Sequence, residues 1–466
     1  MVRLENLMQE QKIQKTKGLQ AVRWRNFKSF RNSGWINIKP ITIFIGPNGS
    51  GKTNLLLPLL LLKQTIQSFD PSLRLNTRGE YANLGDYDDI VFQKRSKSAI
   101  GFDFKFNVKP LVKKEPLIKQ DPPNTILLTF KEYRNRRVDL NDIIVRRDRK
   151  QYLNRKKLRD GKYSLSFAED LSYKDENFKK YTDFIKDDLP RNFLFSGDHL
   201  LKKIIESIKG GKSREINLPE NMVLYLEVLG YVDFKLRNFL TNISFIGPLR
   251  KQPERIYDLS GEIPITVGIQ GQDAPQIFYA RDSKYFHSKV IEWLRAFSFG
   301  DDIAYQDLGN GQFKIMLSRK KQKFHVDYAD AGFGLSQIFP MVVEGFNTKS
   351  KNTIIAEQPE IHLNSRLQRL LADLFADITK YGKTLIIETH SEHLLLRLRT
   401  LIAEGKLPSS EVALYYVDMN NGISKVRPIN IDSIGNIRRQ DWPQDFFMES
   451  VKETLSLATA QMRAKG

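Results

Sequence analysis

The stretch GPNGSGKTN, residues 46–54, combines closely spaced glycines with a lysine and a threonine, and its first eight residues, 46–53, are called the phosphate loop below. Glycines let the backbone turn its N–H groups inward around an anion, because they place no Cβ in the way. The lysine supplies an ammonium group for phosphate oxygens, and the threonine hydroxyl can hold Mg²⁺. Every position of the pattern G-x-x-x-x-G-K-[ST] is filled, so a chance glycine-rich turn is the much weaker explanation. We predict that ATP and Mg²⁺ are bound by Gly46, Pro47, Asn48, Gly49, Ser50, Gly51, Lys52, Thr53 and Asn54.

Two further groups of polar residues follow short apolar runs in the second half of the chain. TIIAEQPE places Glu357 at the carboxyl end of a predicted strand, where ligands of α/β sheets bind and where a carboxylate can hold Mg²⁺. TLIIETHS places His390 after a second strand, within reach of a terminal phosphate, with Ser391 as the cap of the next helix. Strands ending in an acid are common, and a lone histidine is more often structural. Both predictions therefore depend on the phosphate loop.

A second glycine pattern, GFGLSQ, precedes an apolar helix and predicts another helix start that can receive an anion. We call residues 332–337 the signature segment. One nucleotide does not need two such helix starts from a single chain. We therefore predict that this segment closes over the nucleotide of another copy, so that the protein acts as a homodimer or a higher homo-oligomer. The residues predicted to make this contact are Gly332, Gly334, Ser336 and Gln337.

The elements that must hold these residues follow an alternating β/α pattern, which predicts an α/β fold. A β-branched run at residues 41–45 predicts a buried strand directly before the phosphate loop, and residues 54–68 predict an apolar helix. DIVF, residues 89–92, is predicted to be a strand. Apolar spacing over residues 166–242 predicts helices.

A strongly basic region lies at residues 131–162, with 13 Lys or Arg against 5 Asp or Glu. Tyr133, Tyr152 and Tyr163 lie within it or beside it. Cations neutralise phosphates and tyrosines can stack on bases, so this region could contact nucleic acid. The alternative, about equally supported, is the solvated outer face of a small sheet.

The net charge, the length and the amino-acid composition limit the class of protein. The net charge of +20 favours a polyanion as partner, although it could simply keep a large surface soluble. The 466 residues contain no cysteine, which excludes disulfide scaffolds and thiolate metal sites and fits a reducing cytoplasm. The polar N-terminus has no apolar core, so we expect that it is not a signal peptide, and the longest apolar run, residues 55–62, is too short for a bilayer. We expect a cytoplasmic protein with no membrane partner.

The order of NFKSF, GPNGSGKTN, GFGLSQ, EQPEIHL and ETHSEHLL resembles that in ABC-type ATPases of the SMC-like and OLD-like branch. The chain is most similar to stand-alone bacterial ATPases of anti-phage systems of the Septu, PARIS and retron-associated kind. The likeness covers residues 18–91 and 243–399, together with LYYVD, GISKV and WPQDFF in the tail. It implies an ATPase head with a mixed β-sheet lobe and a P-loop α/β core. It also implies an effector protein, a nuclease or toxin, encoded nearby.

Roles for individual residues follow from this resemblance. Residues 46–53 match the Walker A loop, Glu357 the Walker B acid, and His390 the switch histidine. The signature segment matches the motif that caps the ATP of a partner copy. Gln93 is the candidate for the glutamine that such ATPases place near the metal.

The chain departs from the family pattern in two places. Gln358 stands where the family has a glutamate that polarises the attacking water, and an amide cannot accept a proton. Glu360 could replace it; otherwise hydrolysis should be slow and the ATP-bound dimer long-lived. OLD-type nucleases continue into a metal-binding nuclease domain, whereas 67 residues without a paired-Asp cluster follow Arg399 here. We expect no nuclease activity in this chain.

The predicted organisation combines an ATPase head with an inserted basic β/α-helical subdomain. The predicted function is a sensor or scaffold subunit that uses ATP to control an effector. Three alternatives stay open: a DNA-maintenance or repair ATPase, a motor subunit of a membrane transporter, and an ATP-binding interaction protein without nucleic-acid contact. The predicted parts are an N-terminal extension (1–17), lobe I with Walker A (18–93), the basic insert (94–242), lobe II (243–399) and a C-terminal hairpin and helical tail (400–466).

Overall fold

A computed structural model describes residues 18–95, 97–107, 123–133, 137–148, 150–167, 181, 185, 188–208, 218–259, 261–318, 325–347, 352–438, 440–441, 456–457 and 459–461. The predicted N-terminal extension and the motif WPQDFF lie outside these residues. The chain forms two compact units. The first contains Met1–Asn37 and Asn54–Thr241, and the second contains Ile38–Thr53 and Asn242–Gly466.

Runs of strands and pairs of helices make up the first half of the described chain, and single helices and strands alternate between residues 333 and 420. The strands are β1 (Leu19–Phe27), β2 (Phe30–Asn32), β3 (Ile36–Asn37), β4 (Ile41–Ile45), β5 (Ile100–Phe106), β6 (Thr125–Tyr133), β7 (Arg137–Arg147), β8 (Lys150–Lys157), β9 (Tyr163–Phe167), β10 (Ile243–Ile246), β11 (Tyr257–Asp258), β12 (Asp302–Gly309), β13 (Gln312–Ser318), β14 (His325–Asp327), β15 (Thr353–Glu357), β16 (Thr384–Glu388), β17 (Val412–Asn420) and β18 (Ile423–Ile429). The helices are α1 (Thr53–Ile66), α2 (Tyr87–Ile90), α3 (Gly197–Ile208), α4 (Glu220–Thr241), α5 (Ala274–Ala280), α6 (Lys284–Ala296), α7 (Phe333–Asn347), α8 (Ser365–Lys380) and α9 (Glu392–Ala403).

The first unit is built on an antiparallel sheet in the order β2-β1-β5-β6-β7-β8-β9, with β3 also paired to β1. Trp24 is fully buried and packs edge-on against Phe102 and Phe104. Its indole Nε1 donates to the main-chain oxygen of Leu55 at 2.9 Å, which satisfies the buried N–H. Strands β5 to β9, predicted to belong to an insert, thus continue the sheet that begins with β1.

The segment DIVF is not a strand, contrary to the prediction. Asp89 and Ile90 close the short helix α2, and a 3₁₀ turn follows at Phe92–Lys94. The cause is local, since Asp86 and Asp89 form a reciprocal capping box in which the Asp86 N–H donates to the Asp89 carboxylate at 3.0 Å. Capping of free N–H groups outweighs the strand preference of Ile90 and Val91 in so short a segment.

The second unit carries a sheet in the order β10-β15-β16-β4-β17-β18, and all its pairs are parallel except the last. All five residues of β4 are buried, as predicted for the strand before the phosphate loop. In the register, Glu357 lies opposite Glu388, and Glu388 lies opposite Phe44. Parallel strands end at the same edge of a sheet, so this register gathers the predicted site residues at one edge.

Helices of the second unit cover this sheet with apolar faces. Leu371, Leu374 and Phe375 of α8 are buried, as are Leu394 and Leu398 of α9. The Ser391 side chain accepts a hydrogen bond from the N–H of Leu394 at 3.0 Å, which confirms it as the cap of α9. β11 to β14 form a separate small antiparallel sheet. Among the described residues, no helix combines the length and apolarity that a membrane crossing requires.

Candidate nucleotide-binding site

The phosphate loop bends sharply after β4, and two kinds of constraint explain its glycines. A Cβ on Gly46 would lie 2.1 Å from the main-chain oxygen of Val417, so no side chain fits there. Gly49 and Gly51 have φ angles of 73° and 98°, in the left-handed region that favours glycine. The loop therefore depends on glycine for the shape that lets successive N–H groups face an anion.

Lys52 lies over this loop. Only 3% of the residue is exposed, and its Nζ donates to the main-chain oxygens of Gly46 at 3.1 Å and Pro47 at 2.8 Å. Burial lowers the pKa of Lys52, and the negative charges of Glu388 and Glu360 oppose that shift. Phosphate oxygens carry charge and are stronger acceptors than neutral carbonyls, so the ammonium group can exchange its present partners for phosphate.

Thr53 contacts an acid that the sequence interpretation did not assign. Its Oγ1 donates to Oε2 of Glu388 at 2.9 Å, and Glu388 is buried. Glu388 ends strand β16, which lies between β15 and β4, so it stands closer to the phosphate loop than Glu357 does. The sequence TLIIE repeats the pattern that singled out Glu357, but the order of strands decides which acid meets the loop.

Glu357 and Glu388 form a pair of neighbouring carboxylates. Burial raises the pKa of Glu357 to about 7, the charge of Glu388 adds to the rise, and Arg250 opposes it. Glu388 is buried and Glu357 is partly buried, and two carboxylates side by side in such surroundings favour a bound cation, because its charge relieves their repulsion. No group of three or more His, Cys, Asp or Glu in the described part of the chain is arranged to hold a metal ion. Mg²⁺ at phosphate sites normally takes one or two carboxylates plus phosphate oxygens, so Thr53, Glu388 and Glu357 fit it.

The affinity for Mg²⁺-ATP is expected to depend on pH through Glu357. Its raised pKa of about 7 means that the carboxyl is largely protonated at pH 6, whereas Mg²⁺ needs the ionised form. The affinity should therefore rise by about tenfold from pH 6 to pH 8. Titration calorimetry with Mg²⁺-ATP across this range measures the effect.

The variant Glu357→Gln is the control, because it removes this titration while ATP keeps its own. A wild-type pH dependence identical to that of the variant would contradict the assignment. The sign is opposite for folding of the metal-free protein. The ionised form is disfavoured in the fold, so the free energy of unfolding should fall as the pH rises from the ordinary value of 4.5 to about 7.

Glu360 is buried next to this pair. Its Oε1 accepts a hydrogen bond from the backbone N–H of His390 at 2.6 Å. Its Oε2 is buried and has no hydrogen-bond partner within the described residues. Burial raises the pKa of Glu360, while the hydrogen bonds and Lys52 hold part of that rise back. One oxygen fixes the carboxyl, and the other is free to accept a proton from water.

The neighbouring predicted residues lie on the same edge of the sheet. Burial and the positive charge of Lys52 lower the pKa of His390, so its ring is neutral near pH 7 and can donate one hydrogen bond. Gln358 adopts a φ of 43°, and its N–H donates to the main-chain oxygen of Glu388 at 2.7 Å. That bond ties the turn after β15 to the end of β16. The structure thus brings together Lys52, Thr53, Glu357, Gln358, Glu360 and His390.

The signature segment begins helix α7, and its residues differ in exposure. Phe333 is 61% exposed, and Gly332 beside it is exposed as well. Ser336 and Gln337 are buried, and the Ser336 hydroxyl donates to the main-chain oxygen of Phe333 at 2.7 Å. In a single chain only the first residues of the segment can be reached from outside. A contact with the nucleotide of another copy therefore stays a prediction, and Gly332 is the member best placed for it.

Two predicted site residues belong to the first unit. Gln93 is exposed on the 3₁₀ turn at Phe92–Lys94, with a φ of 54°. Its role beside the metal stays a prediction. The Asn54 side chain donates to the Ser29 hydroxyl at 3.0 Å, so its amide is engaged inside that unit.

The basic region lies on strands β6 to β9, and several of its residues face inward. Tyr152 and Tyr163 are 3% and 1% exposed, so neither can stack on a base. Arg155 is fully buried, and Lys157 is paired with Asp139. Tyr152, Tyr163 and Arg155 belong to the interior of the first unit and Lys157 is engaged by an acid, which favours the alternative of an ordinary sheet with a solvated outer face.

Residues 19–244 and 278–395 match the family model described as AAA ATPase domain. The chain belongs to this family. Residues 407–457 match a second model, described as protein of unknown function (DUF3696). Comparison with curated proteins gives no match. The family assignment makes the chain an ATPase of the AAA type, and such ATPases bind nucleotide together with a divalent metal.

Solved SMC head domains are similar to this AAA ATPase. The SMC head bound to the C-winged helix domain of ScpA is 12% identical, with 89% of this chain and 98% of that chain covered and a TM-score of 0.40. The SMC head domain from Thermotoga maritima is 15% identical, with 89% and 100% covered and a TM-score of 0.37. The head from Pyrococcus furiosus, bound to the C-terminal domain of ScpA, is 14% identical, with 89% and 96% covered and a TM-score of 0.38.

Proposed function

We propose that this AAA ATPase binds Mg²⁺-ATP at the phosphate loop, hydrolyses it slowly, and associates with a second copy while ATP is bound. The observation that carries the proposal is the hydrogen bond from Thr53, the residue after Lys52, to Glu388. It places a hydroxyl, a carboxylate and an ammonium group at one loop, which is the set that a metal-bound triphosphate requires.

Each residue of the site would have a distinct task. The N–H groups of the phosphate loop and the Lys52 ammonium group would bind the phosphate oxygens. Thr53, Glu388 and Glu357 would hold Mg²⁺, whose charge offsets that of the phosphates. Glu360 would accept the proton of the attacking water through Oε2, and neutral His390 would donate to the terminal phosphate. The amide of Gln358 cannot take the proton, and turnover would be slow because Glu360, two residues further on, has to replace the acid expected at position 358.

The association with a second copy would use the exposed start of α7. Gly332 and Phe333 are accessible in one chain, and a helix start can receive the negative charge of a terminal phosphate. Loss of that phosphate after hydrolysis would remove the charge that bridges the two copies and loosen them. ATP would thus act as a switch for assembly.

The cellular role that we propose is that of a sensor or scaffold subunit in a bacterial anti-phage system, controlling an effector such as a nuclease or toxin. Its support is the motif resemblance, above all EQPEIHL and ETHSEHLL. The net charge of +20 favours the alternative of a DNA-maintenance ATPase. A neighbouring gene for a nuclease or toxin would support the first role, and binding of DNA ends without such a gene would support the second.

Replacing Lys52 with alanine is expected to abolish assembly driven by ATP. Loss of charge-assisted hydrogen bonds to the phosphates should weaken ATP binding by about 100-fold. Mass photometry should then show an ATP-dependent increase in mass for the wild type and none for the variant. Lys406→Ala is the matched control, because this exposed lysine pairs with Glu404 away from the loop. Equal assembly of wild type and Lys52→Ala with ATP would overturn the proposal.

A further inference from the structure

The second unit contains an arginine, Arg250, whose guanidinium nitrogens are buried without hydrogen-bond partners among the described residues. The Nε, Nη1 and Nη2 atoms of Arg250 are all buried, and none has a hydrogen-bond partner among the residues that the structure describes. A guanidinium group carries five N–H donors and a permanent charge. Burying such a group without acceptors is costly, and proteins rarely do so unless a ligand or ion supplies the acceptors.

Another arginine of the same protein shows what a structural role looks like. Arg155 is fully buried, and its Nη atoms donate to the Tyr225 hydroxyl at 2.6 Å and to the main-chain oxygens of Ile185 and Asp188 at 2.6 and 2.9 Å. The Asp188 carboxylate lies 3.6 Å from it. Both Nη atoms of Arg155 are therefore paired and only its Nε has no partner, whereas none of the three guanidinium nitrogens of Arg250 has one among the described residues.

Arg250 lies at the edge of the sheet where the nucleotide site is formed. Strand β10 runs parallel to β15, with Ile246 opposite Ala356, so the chain leaves β10 beside Glu357. The charges of Arg250 and Glu357 affect each other, since each shifts the pKa of the other toward the ionised form. No ion pair joins them within 4.0 Å among the described residues, which leaves the guanidinium donors available for another anion.

The loop that carries Arg250 is held in place on both sides. The Gly247 N–H donates to the Ile269 oxygen at 2.8 Å, and the Lys251 N–H donates to the Gln270 oxygen at 2.9 Å. Beside this loop, a Cβ on Gly271 would lie 2.4 Å from Cγ of Pro340 in α7 and 3.8 Å from Cδ of Arg250. The aliphatic part of the Arg250 side chain therefore lies next to Gly271, which packs closely against α7, the helix that begins with the signature segment.

We propose that Arg250 is the residue that detects the terminal phosphate of the bound nucleotide, donating to its oxygens beside Glu357. This inference rests on the proposed binding of Mg²⁺-ATP. A phosphate group supplies the charge and the paired oxygens that a guanidinium fork recognises, and ADP lacks that terminal group. The contacts through Gly271 and Pro340 connect Arg250 to α7. Binding of the terminal phosphate to Arg250 would thereby affect the start of α7, the surface that we propose contacts a second copy.

Nucleotide affinities of Arg250→Ala test the proposal. Loss of one or two charge-assisted hydrogen bonds should weaken ATPγS binding by about 10- to 100-fold, while ADP affinity should stay within about twofold. Titration calorimetry with both nucleotides in the presence of Mg²⁺ gives the ratio. Arg255→Ala is the matched control, because that arginine lies five residues further on and is exposed and paired with Asp330. An unchanged ATPγS affinity, or an equal loss for ADP, would overturn the inference and leave the proposed function standing.

Thermal unfolding without nucleotide separates ligand binding from a structural role. Replacing an unpaired buried charge with an apolar side chain of similar size is neutral or stabilising, so Arg250→Met should unfold no lower than the wild type. A clearly lower midpoint would show that Arg250 has a structural partner and would overturn the inference. Arg250→Met also serves for the affinity measurements if the alanine variant does not fold. If wild type binds neither nucleotide, the proposed function fails and this inference fails with it.

Discussion

Replacing Glu360 with glutamine is expected to lower the rate of ATP hydrolysis by about 10²- to 10⁴-fold in a single turnover. ATP affinity should change little. A glutamine Oε1 can still accept the hydrogen bond from the His390 N–H, which is 2.6 Å long in the wild type. The amide cannot take the proton that the free Oε2 of Glu360 would receive. Rapid mixing of radiolabelled ATP with excess enzyme measures the chemical step directly.

A second variant tests whether the base that activates water is Glu360 or can stand at position 358. Gln358→Glu introduces the acid that the motif resemblance leads us to expect directly after Glu357. If Glu360 is the base of this protein, the Gln358→Glu variant, with a second carboxylate beside it, should hydrolyse ATP faster than the wild type. The double variant with Glu360→Gln and Gln358→Glu should recover part of the activity that Glu360→Gln loses. Full activity of Glu360→Gln alone would show that neither its charge nor its proton affinity is used. The backbone position of Gln358 at a φ of 43° is compatible with this exchange, because glutamate has the same side-chain length.

The phosphate loop could be predicted in full, because its pattern is local. Eight consecutive positions determine the turn, and the buried strand before it follows from five apolar or β-branched residues. No partner distant in sequence is needed to find Lys52 or Thr53. The same holds for Ser391, whose capping role depends on the residue three positions later.

Glu388 and Arg250 could not be assigned from the sequence, because their roles depend on the order of strands. The sequence shows two strands that end in glutamate, and it does not show that β16 lies next to β4. A parallel sheet can insert a later strand between two earlier ones. Arg250 follows a short strand that has no polar pattern of its own, and only the pairing of β10 with β15 brings it beside Glu357.

The basic region shows a different limit. Charge counts treat every residue as exposed, whereas a sheet alternates its faces, so residues two apart share an environment. Tyr163 falls on the inner face, and its hydroxyl donates to the main-chain oxygen of Leu140 at 2.9 Å. Tyr152 is buried at an irregularity in the pairing of β7 with β8, which simple alternation does not predict. A count of cations therefore does not show which of them are exposed and available to nucleic acid.

Gly46→Ala is expected to disrupt both the fold around the phosphate loop and nucleotide binding. The added Cβ would stand 2.1 Å from the main-chain oxygen of Val417, and strand β17 pairs directly with β4. Separating these strands should destabilise the second unit by about 3 kcal/mol, the upper part of the range for overpacking. For a unit of this size that corresponds to a melting temperature lower by about 6–12 °C. Differential scanning calorimetry measures the shift, and calorimetric titration should show no binding of ATP.

Gly49→Ala is the matched control for this substitution, because it adds the same methyl group three residues away in the same loop. No heavy atom lies within 4 Å of a Cβ at Gly49, so the variant meets no collision. It meets only the strain of an alanine at a φ of 73°, which costs about 1–2 kcal/mol. Its melting temperature should therefore fall less than that of Gly46→Ala. Equal shifts for the two variants would mean that glycine flexibility, and not the approach of Val417, determines the need for glycine at position 46.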